Sequence, residues 1–303
     1  MADRAKAEKQ YTFEWVAAEG SLVPYLNSLY MVRVGDEEVV DVMPAYSGQL
    51  LVVLAGEASM AFADGSRAAT GPAGFMCPLT QAHSFAMQSG TVVLGVSLNF
   101  LGWAALTGLP VDTYRDRYLP VGEAMGAEFA RACHEIVQRA QSGALGEREA
   151  LDEIAALVAA SIEQLPERHS QVIGRTLEWL SSSFKPEIAD LLEQLPYSER
   201  QVQRLVTKFF GQPPVRLIRR YRAIRAATIL SMPELAPKLE EEVREAFYDQ
   251  AHMIKEIRHF TGRTPRRLQP KVDSVVKKML GEPGYGSVDL FGGNHDRVLG
   301  KGD

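Results

Sequence analysis

The residues with the clearest chemical potential lie on one short helix, which the pattern predicts over residues 198–211. Its apolar side chains recur at i, i+3, i+4 and i+7 and so form one stripe. They are Val202, Leu205, Val206 and Phe209. The opposite face holds Arg200, Gln201, Gln203, Arg204, Thr207 and Lys208, with Glu199 as its one acid. Long side chains that donate hydrogen bonds are what a helix in a DNA major groove needs.

The sequence also predicts both ends of this helix. Ser198 is a good N-cap, because its hydroxyl can accept from a free backbone N–H of the first turn. Gly211 stands where a helix favours a left-handed residue. Residues 188–195 form another short apolar segment, and residues 195–197 make the turn. The segment therefore predicts a helix-turn-helix, although a basic amphipathic helix is also typical of an ordinary solvated surface.

The same pattern returns further along the chain, which favours the DNA-binding interpretation. Asp249 is a candidate N-cap, and Gly262 followed by Pro265 repeats the ending that Gly211 and Pro214 make. The apolar stripe of this second helix is formed by Met253, Ile257 and Phe260. Between the two motifs, a helix that begins near Pro214 and runs to about Leu230 would span roughly 25 Å. Its predicted buried side holds Leu217, Ile218, Tyr221 and Ile224.

These residues resemble the DNA-binding domain of the AraC/XylS family of bacterial transcription regulators. The matching positions are Ser198-Glu199-Arg200-Gln201, Arg204, Phe210-Gly211 and Pro214, then Phe247-Tyr248-Asp249-Gln250, His252, Phe260, Gly262 and Pro265. They cover about the last third of the chain. The resemblance implies a sequence-specific DNA-binding regulator, with activation favoured over repression, whose two recognition helices enter successive major grooves.

By this resemblance, the residues facing bases would be Arg200, Gln203 and Arg204 in the first unit and Gln250, Ala251 and Lys255 in the second. The residues facing phosphates would be Gln201, Thr207, Lys208, Arg219 and Arg220. The chemistry of the arginines suits guanine and that of the glutamines suits adenine, while Ala251 offers only an apolar contact.

The sequence departs from the family pattern in both units. Leu192 and Pro196 stand where the family usually has alanine and glycine, which would open the angle between the first two helices. In the second unit, Glu241, Glu242 and Glu245 occupy positions expected to be apolar or small. Because burying a carboxylate is costly, we expect this helix to be shifted, frayed or repacked. An open alternative is therefore an interaction protein with a degenerate second unit, which would use this acidic helix to bind a partner such as RNA polymerase or another regulator.

Residues 11–100 predict a β domain. Residues 50–54 are a continuous apolar run, and Asp64-Gly65 between two short strands is a hairpin signal. Short strands at this spacing indicate a barrel or sandwich, and we favour a cupin-like barrel with a pocket for a small-molecule effector. The predicted fold is therefore α+β with two domains: an N-terminal cupin-like β-barrel and a C-terminal all-α double helix-turn-helix.

Catalysis has no positive signal in the sequence. The barrel region holds a single histidine, His83, which is more typical of a hydrogen-bonded structural residue than of a metal ligand. Cys77 is more typical of a small buried residue than of a nucleophile. We predict no enzyme, no cofactor and no metal, with a cupin-type enzyme carrying an accessory helical domain as the weaker alternative.

The chain is predicted to divide into a sensor domain (1–120), a helical connector (121–168), the DNA-binding domain (169–272) and a disordered tail (273–303). The connector has two amphipathic segments, which would cover the barrel or form a homodimer interface. The last part of the tail, residues 281–303, contains seven glycines.

Composition fits an ordinary soluble protein that lies in the cytoplasm, at the nucleoid. The chain has 303 residues, two cysteines, no secretory signal and no apolar run long enough to span a membrane. The net charge of −5 hides an asymmetry: residues 171–272 carry 18 Lys and Arg against 12 Asp and Glu, a balance of +6, so the remainder carries −11. A basic module joined to an acidic one is typical of a domain that binds a polyanion.

Overall fold

The computed structural model describes residues 11–232 and 237–268. Within these ranges the chain is α+β, with an N-terminal sheet domain followed by a helical C-terminal region. The strands, in chain order, are β1 (Tyr11–Val16), β2 (Leu26–Val34), β3 (Val39–Met43), β4 (Gln49–Ala55), β5 (Ala58–Ala61), β6 (Arg67–Ala69), β7 (Ala73–Met76), β8 (His83–Met87), β9 (Val92–Leu98) and β10 (Tyr118–Pro120).

The strands form two antiparallel sheets. The larger has the order β1-β2-β9-β4-β7-β10, and the smaller has the order β3-β8-β5-β6. The closed barrel that the sequence predicted is not seen in the described residues, because each sheet ends in an edge strand instead of pairing with the other. β6 and β10, which lie at such edges, are short strands, Arg67–Ala69 and Tyr118–Pro120, so they offer few hydrogen bonds with which to close a ring.

The larger sheet is buried on both faces, which explains the continuous apolar run of β4. Successive strand residues point to opposite faces. Leu50 and Val52 therefore pack in the core beneath the helices, whereas Leu51 and Val53 pack in the core that includes Met60 and Phe85 of the smaller sheet. The result is three layers: helices, the larger sheet and the smaller sheet.

The helices follow and interrupt the sheet domain. A 3-10 turn spans Gly20–Leu22, and the α-helices are α1 (Phe100–Thr107), α2 (Val111–Tyr114), α3 (Val121–Met125), α4 (Ala127–Gln141), α5 (Glu147–Ser161), α6 (Glu167–Ser182), α7 (Ile188–Glu193), α8 (Glu199–Phe210), α9 (Pro214–Leu230), α10 (Pro237–Glu245), α11 (Gln250–Thr261) and α12 (Pro265–Leu268).

Helices α4 and α5 cover the helix-side face of the larger sheet. Phe129, Cys133 and Ile136 of α4, with Leu151 and Ile154 of α5, belong to the same core as the sheet residues. The Gln141 amide also donates to the Leu54 carbonyl across the layer, at 3.1 Å. The apolar faces of these helices are thus used inside the chain, whereas dimerisation through them stays a prediction.

His83 is the structural histidine that the sequence predicted. Its ring nitrogen Nε2 lies 3.0 Å from Asp116 Oδ1, and that carboxylate also accepts from the backbone N–H of Thr80 at 2.7 Å. Asp116 itself has φ of 54°, a left-handed conformation that few residues other than glycine adopt. Cys77 is fully buried, and burial raises the pKa of its thiol to about 12. The thiol is therefore protonated and unreactive at neutral pH.

The tail predicted to be disordered, residues 273–303, lies outside the described ranges, and the domain boundaries stay predictions. Within the described ranges, no helix combines the length and the apolar character that crossing a bilayer requires.

Candidate nucleic-acid interface

Helix α8 has the ends that the sequence predicted. The Ser198 backbone N–H donates to Oε1 of Gln201 at 3.1 Å, which is half of a capping box. Gly211 ends the helix at φ of 76°, and its N–H donates to the Thr207 carbonyl at 2.8 Å. The predicted apolar stripe packs inward, with Val202, Val206 and Phe209 buried. The packing of this stripe therefore turns the opposite, polar face to solvent.

The three base-facing candidates of the first unit, Arg200, Gln203 and Arg204, are all exposed on that polar face. The Gln203 amide donates to Glu199 Oε1 at 3.0 Å, so Glu199 holds it against the first turn. Of the phosphate candidates, Gln201 is exposed, whereas Thr207 and Lys208 are half-buried. The structure therefore brings the predicted residues of the first unit together on one accessible surface.

Helix α11, in the second unit, has an N-cap and a C-terminal glycine at the same relative positions as α8. The side chain of Asp249 accepts from the N–H of His252 at 2.7 Å, as an N-cap should, and Gly262 ends the helix at φ of 72°. The candidates Gln250, Ala251 and Lys255 are exposed. The helix before it, α10, does not bury its glutamates: Glu241 and Glu245 are exposed and Glu242 is half-buried, while Val243 and Ala246 face the core.

Glu256 of α11 is a charge that the sequence analysis did not single out. Its side chain is buried and bonded to two arginines of α9: Oε1 accepts from Arg219 Nε at 2.6 Å, and Oε2 accepts from Arg222 Nη2 at 2.6 Å. Burial acts to raise the pKa of its carboxyl, but the bonds from Arg222 and Arg219 outweigh it, so the net pKa lies below the usual value. Arg219 is half-exposed, so its cation can still reach outward, with part of its charge compensated.

Arg220 cannot contact a phosphate from its observed position, so this prediction is wrong. The residue is 2% exposed, because it lies beside Leu217, Tyr221 and Ile224 on the buried side of α9. Its guanidinium stands 5.3 Å from the centre of the Phe100 ring. Nε and Nη1 have no hydrogen-bond partner among the described residues.

The N-terminal domain holds the C-terminal end of both candidate recognition helices. At the first, Arg115 donates to the Gly211 carbonyl, and Val111 lies against the glycine itself. At the second, the N–H of Ala45 donates to the Phe260 carbonyl at 2.7 Å, and Arg263 pairs with Asp41. The two ends are thus anchored to different parts of the sheet domain.

A cavity of about 730 Å³ lies between the sheet domain and helices α6 and α9. Apolar side chains dominate its wall, with a few polar groups from the sheet domain and the buried Arg220. By contrast, the cavity between the two sheets has a volume of only about 60 Å³, because aromatic and methionine side chains occupy most of the space there. Room for a small molecule therefore exists at the domain junction.

The described residues contain no group of three or more His, Cys, Asp or Glu side chains arranged to hold a metal ion.

No family model matches the chain, and no curated protein matches it. Among solved structures, ToxT from Vibrio cholerae O395 is similar in layout, with a TM-score of 0.43 and 9% identity over 86% of this chain and 97% of that one. ToxT from V. cholerae strain SCE256 with an unsaturated fatty acid bound has a TM-score of 0.44 and 9% identity, over 87% and 97% of the two chains. The AraC-like transcriptional activator CuxR has a TM-score of 0.32 and 16% identity, over 74% and 89%.

Proposed function

We propose that this chain is a sequence-specific, DNA-binding transcription regulator of the AraC/XylS type, acting in the bacterial cytoplasm at the nucleoid. The supporting observation is the pair of capped helices, α8 and α11, that share one frame and present their polar faces to solvent. In this proposal α7–α8 and α10–α11 are the two helix-turn-helix units, and α9 is the rigid helix between them. The resemblance favours activation. RNA polymerase as a further partner, a homodimer and the absence of a catalytic role are also part of the proposal.

In this mechanism, Arg200 and Arg204 bond to guanine edges and Gln203 bonds to adenine. Gln250 and Lys255 act in the second groove, where Ala251 contributes an apolar contact. Arginine suits such a role because its planar fork can make two parallel hydrogen bonds to one base. Gln201, Thr207, Lys208 and Arg219 are the proposed phosphate contacts, which position the protein without reading sequence.

The test is selection of genomic DNA fragments by the purified full-length protein at physiological salt. We expect an enriched motif with two half-sites about one helical turn apart. A motif of one half-site would support the alternative in which the second unit is degenerate and the protein acts through a partner. Ala251 and the internally paired Glu256 are the observations that favour this alternative. Binding of all fragments equally by a folded protein would contradict the proposal.

We further propose that a small molecule with an apolar body and a carboxylate controls the protein from the cavity at the domain junction. The observation that supports this proposal is the burial of Arg220 in the cavity wall. A buried guanidinium without an anionic partner is costly, and a carboxylate ligand would supply that partner. Asn27 and Ser47, which bond to each other at 2.9 Å, add polar groups to the same cavity. Because Arg220 lies on α9, which joins the two units, a ligand there would act on both.

The test of this second proposal compares the effects of a long-chain fatty acid and of its methyl ester on the melting temperature of the protein. We expect the acid to raise the melting temperature and the ester to have a much smaller effect, because only the acid can pair with Arg220. Arg220→Met keeps much of the side-chain volume and should abolish the difference. Equal shifts by acid and ester in the unmodified protein would contradict the role of Arg220.

A further inference from the structure

A second open groove runs along one flank of α8, and we call it the flank groove. It has a volume of about 540 Å³ and lies between α2, the start of α6 and α8. Its charged and polar walls include Asp112 and Thr113 of α2, Arg168 and His169 of α6, and Arg204 and Lys208 of α8. None of the first four residues belongs to the proposed helix-turn-helix units.

Positive charge dominates the flank groove. Arg168, Arg204 and Lys208 supply three cations, and Asp112 is the single acid among the described residues of its wall. The ring of His169 meets that of Phe209 edge-on at 5.1 Å, which fixes the histidine beside Lys208. Burial, followed by the charges of Lys208 and Arg168, lowers the pKa of His169. The two neighbouring cations therefore add to the effect of burial on this imidazole.

The groove also lies where a DNA backbone would pass. Arg204 and Lys208 are four residues apart and so share one side of α8, next to the base-facing candidates Arg200 and Gln203. When a helix enters the major groove, its tip faces the bases and its flanks face the sugar-phosphate strands that wall the groove. A cationic channel along that flank therefore meets phosphates at the same time as Arg204 meets a base.

We propose that the flank groove receives backbone phosphates of bound DNA, with Arg168 and His169 as contacts from outside the helix-turn-helix units. Asp112 of the N-terminal domain stands in the same groove and opposes the phosphates by like charge. The sensor domain thereby forms one wall of the DNA interface. This inference rests on the proposed DNA-binding function and extends it to residues on α2 and α6.

The first test is the salt dependence of DNA affinity for Arg168→Ala. Losing one phosphate contact should reduce the slope of log affinity against log salt by about 1 and weaken binding about fivefold at 0.15 M salt. The loss should be the same on the selected site and on random DNA, because a phosphate contact carries no sequence information. Arg175→Ala is the matched control, since Arg175 lies on the same helix, is exposed and pairs with Glu178 at 2.7 Å; its slope should not change.

In the second test, a negative charge is removed, so the expected change in DNA affinity is a gain instead of a loss. Asp112→Asn removes the opposing charge without a large change of shape, so affinity should rise a few-fold and the salt slope should steepen. Glu178→Gln removes an exposed acid of α6 that lies outside the groove wall, and it should leave both quantities unchanged. A fall in affinity for Asp112→Asn would overturn the assignment of Asp112.

The third test uses pH. The charged groups that share the groove with His169 are Asp112, Arg168, Arg204 and Lys208. Between pH 6 and 7.5, His169 can gain a proton when a phosphate arrives beside it, because the negative charge opposes the effects that lower its pKa. Affinity should therefore rise as pH falls through this range, and His169→Gln should flatten the profile. His252 and His259 are present in both proteins, so the difference between the two profiles isolates His169.

The outcomes separate this inference from the proposed function. Sequence-specific binding by the unmodified protein, with unchanged slopes and pH profiles in Arg168→Ala and His169→Gln, would overturn the flank groove and leave the regulator intact. A folded protein that shows no sequence preference on any DNA would overturn both. Binding of inorganic phosphate in the groove without any effect of the variants on DNA would also overturn the DNA assignment.

Discussion

The two helix-turn-helix units of the proposal share one frame and differ in how their charges are used. Position by position, Ser198 corresponds to Asp249 and Gly211 to Gly262, and both pairs have the same structural role. At the polar positions, Arg200 corresponds to Ala251 and Arg204 to Lys255. The second unit therefore has the same kind of capped helix as the first, but it lacks arginine at both of these polar positions.

The clearest difference is at Leu205 and its counterpart Glu256. Leu205 is half-buried beside the core of the first unit, whereas Glu256 is buried and binds Arg219 and Arg222 of α9. The second unit thus joins α9 through a charge network that the first unit lacks in the described residues. Charge that is paired inside the protein attracts phosphate weakly, so we expect the first unit to dominate DNA recognition.

The attachments to the sheet domain differ as well. The end of α8 meets helix α2 and the residue after it, through Val111 and Arg115, whereas the end of α11 meets strand β3, through Asp41 and Val42. Because the two units touch different elements, a change within the sheet domain would move them separately. A displacement of α2 relative to β3 would therefore change the angle and spacing between the two candidate recognition helices.

The largest expected effect comes from breaking the network of the second unit. Glu256→Ala leaves Arg222, which is 10% exposed, without its anion, and should lower the free energy of unfolding by about 3–5 kcal/mol. Urea unfolding measures this value. The control is Glu240→Ala, an exposed partner of Arg244 at 3.0 Å, which should cost less than about 1 kcal/mol. Equal costs would mean that the buried network contributes no more than a surface pair.

The same carboxylate predicts a pH dependence. Its pKa in the folded protein is lowered, so its contribution to stability is present above the pKa of the unfolded chain, ordinarily 4.5, and is lost as pH falls through the folded value. Glu256→Gln should therefore flatten the acid limb of stability against pH. An unchanged acid limb would contradict this role.

The next largest effect is on DNA affinity, and it differs between a variant of the first unit and a variant of the second. Arg204→Ala should cost about 1–3 kcal/mol on the selected site and much less on random DNA, because a bidentate base contact is lost. Lys255→Ala should weaken all sequences alike and reduce the salt slope by about 1, because lysine acts as a point charge on phosphate. Titrations of both variants on both DNAs decide this. If Lys255→Ala lost affinity for the selected site but not for random DNA, the second unit would read bases as the first does.

The smallest effect tests the two attachments. Alanine at Gly211 or Gly262 meets a positive φ, which costs about 1–2 kcal/mol in each case. The atom nearest to the new methyl group would be Val111 Cγ1, at 2.8 Å, in the first case. In the second case it would be Val42 Cγ1, with Val42 Cβ at 2.9 Å.

Val111→Ala removes the Cγ1 atom that obstructs Gly211→Ala. Val42→Ala removes the Cγ1 atom nearest to the new methyl group of Gly262→Ala, although it keeps Cβ. Because the Val42 Cγ1 contact is the closer of the two, a double-mutant cycle should show a coupling of about 1 kcal/mol for the first pair and a larger one for the second. Equal couplings would mean that the sheet domain holds the two ends in the same way.

Much of the helical frame was predictable from local sequence. The bounds of α8 follow from Ser198, Gly211 and the apolar spacing between them, and Pro214 marks the start of α9. Caps and stripes are local: each depends on residues within a turn or two, so the same chemistry operates before and after folding. The buried His83 was also predictable, because a lone histidine has few other roles in such a segment.

Other features needed the packed structure. The sequence cannot tell that Arg220 faces the core while Arg219 faces solvent, because both lie beside the predicted stripe and the width of the buried face depends on what docks against α9. The two faces of β4 likewise become distinct only when helices cover one and the smaller sheet covers the other. Closure of the barrel failed as a prediction because pairing between strand edges is a long-range property.

The sequence by itself determined the caps, the stripes, the repeat of the capped motif and the polar character of the faces they leave outside. Tertiary structure alone decided which charges remain available. It buried Arg220 in the domain junction, tied Arg219 and Arg222 to Glu256, and brought Arg168 and His169 alongside α8. The reason is physical: a side chain's propensity acts over a few residues, whereas its solvation and ion partners depend on groups that are far away in sequence.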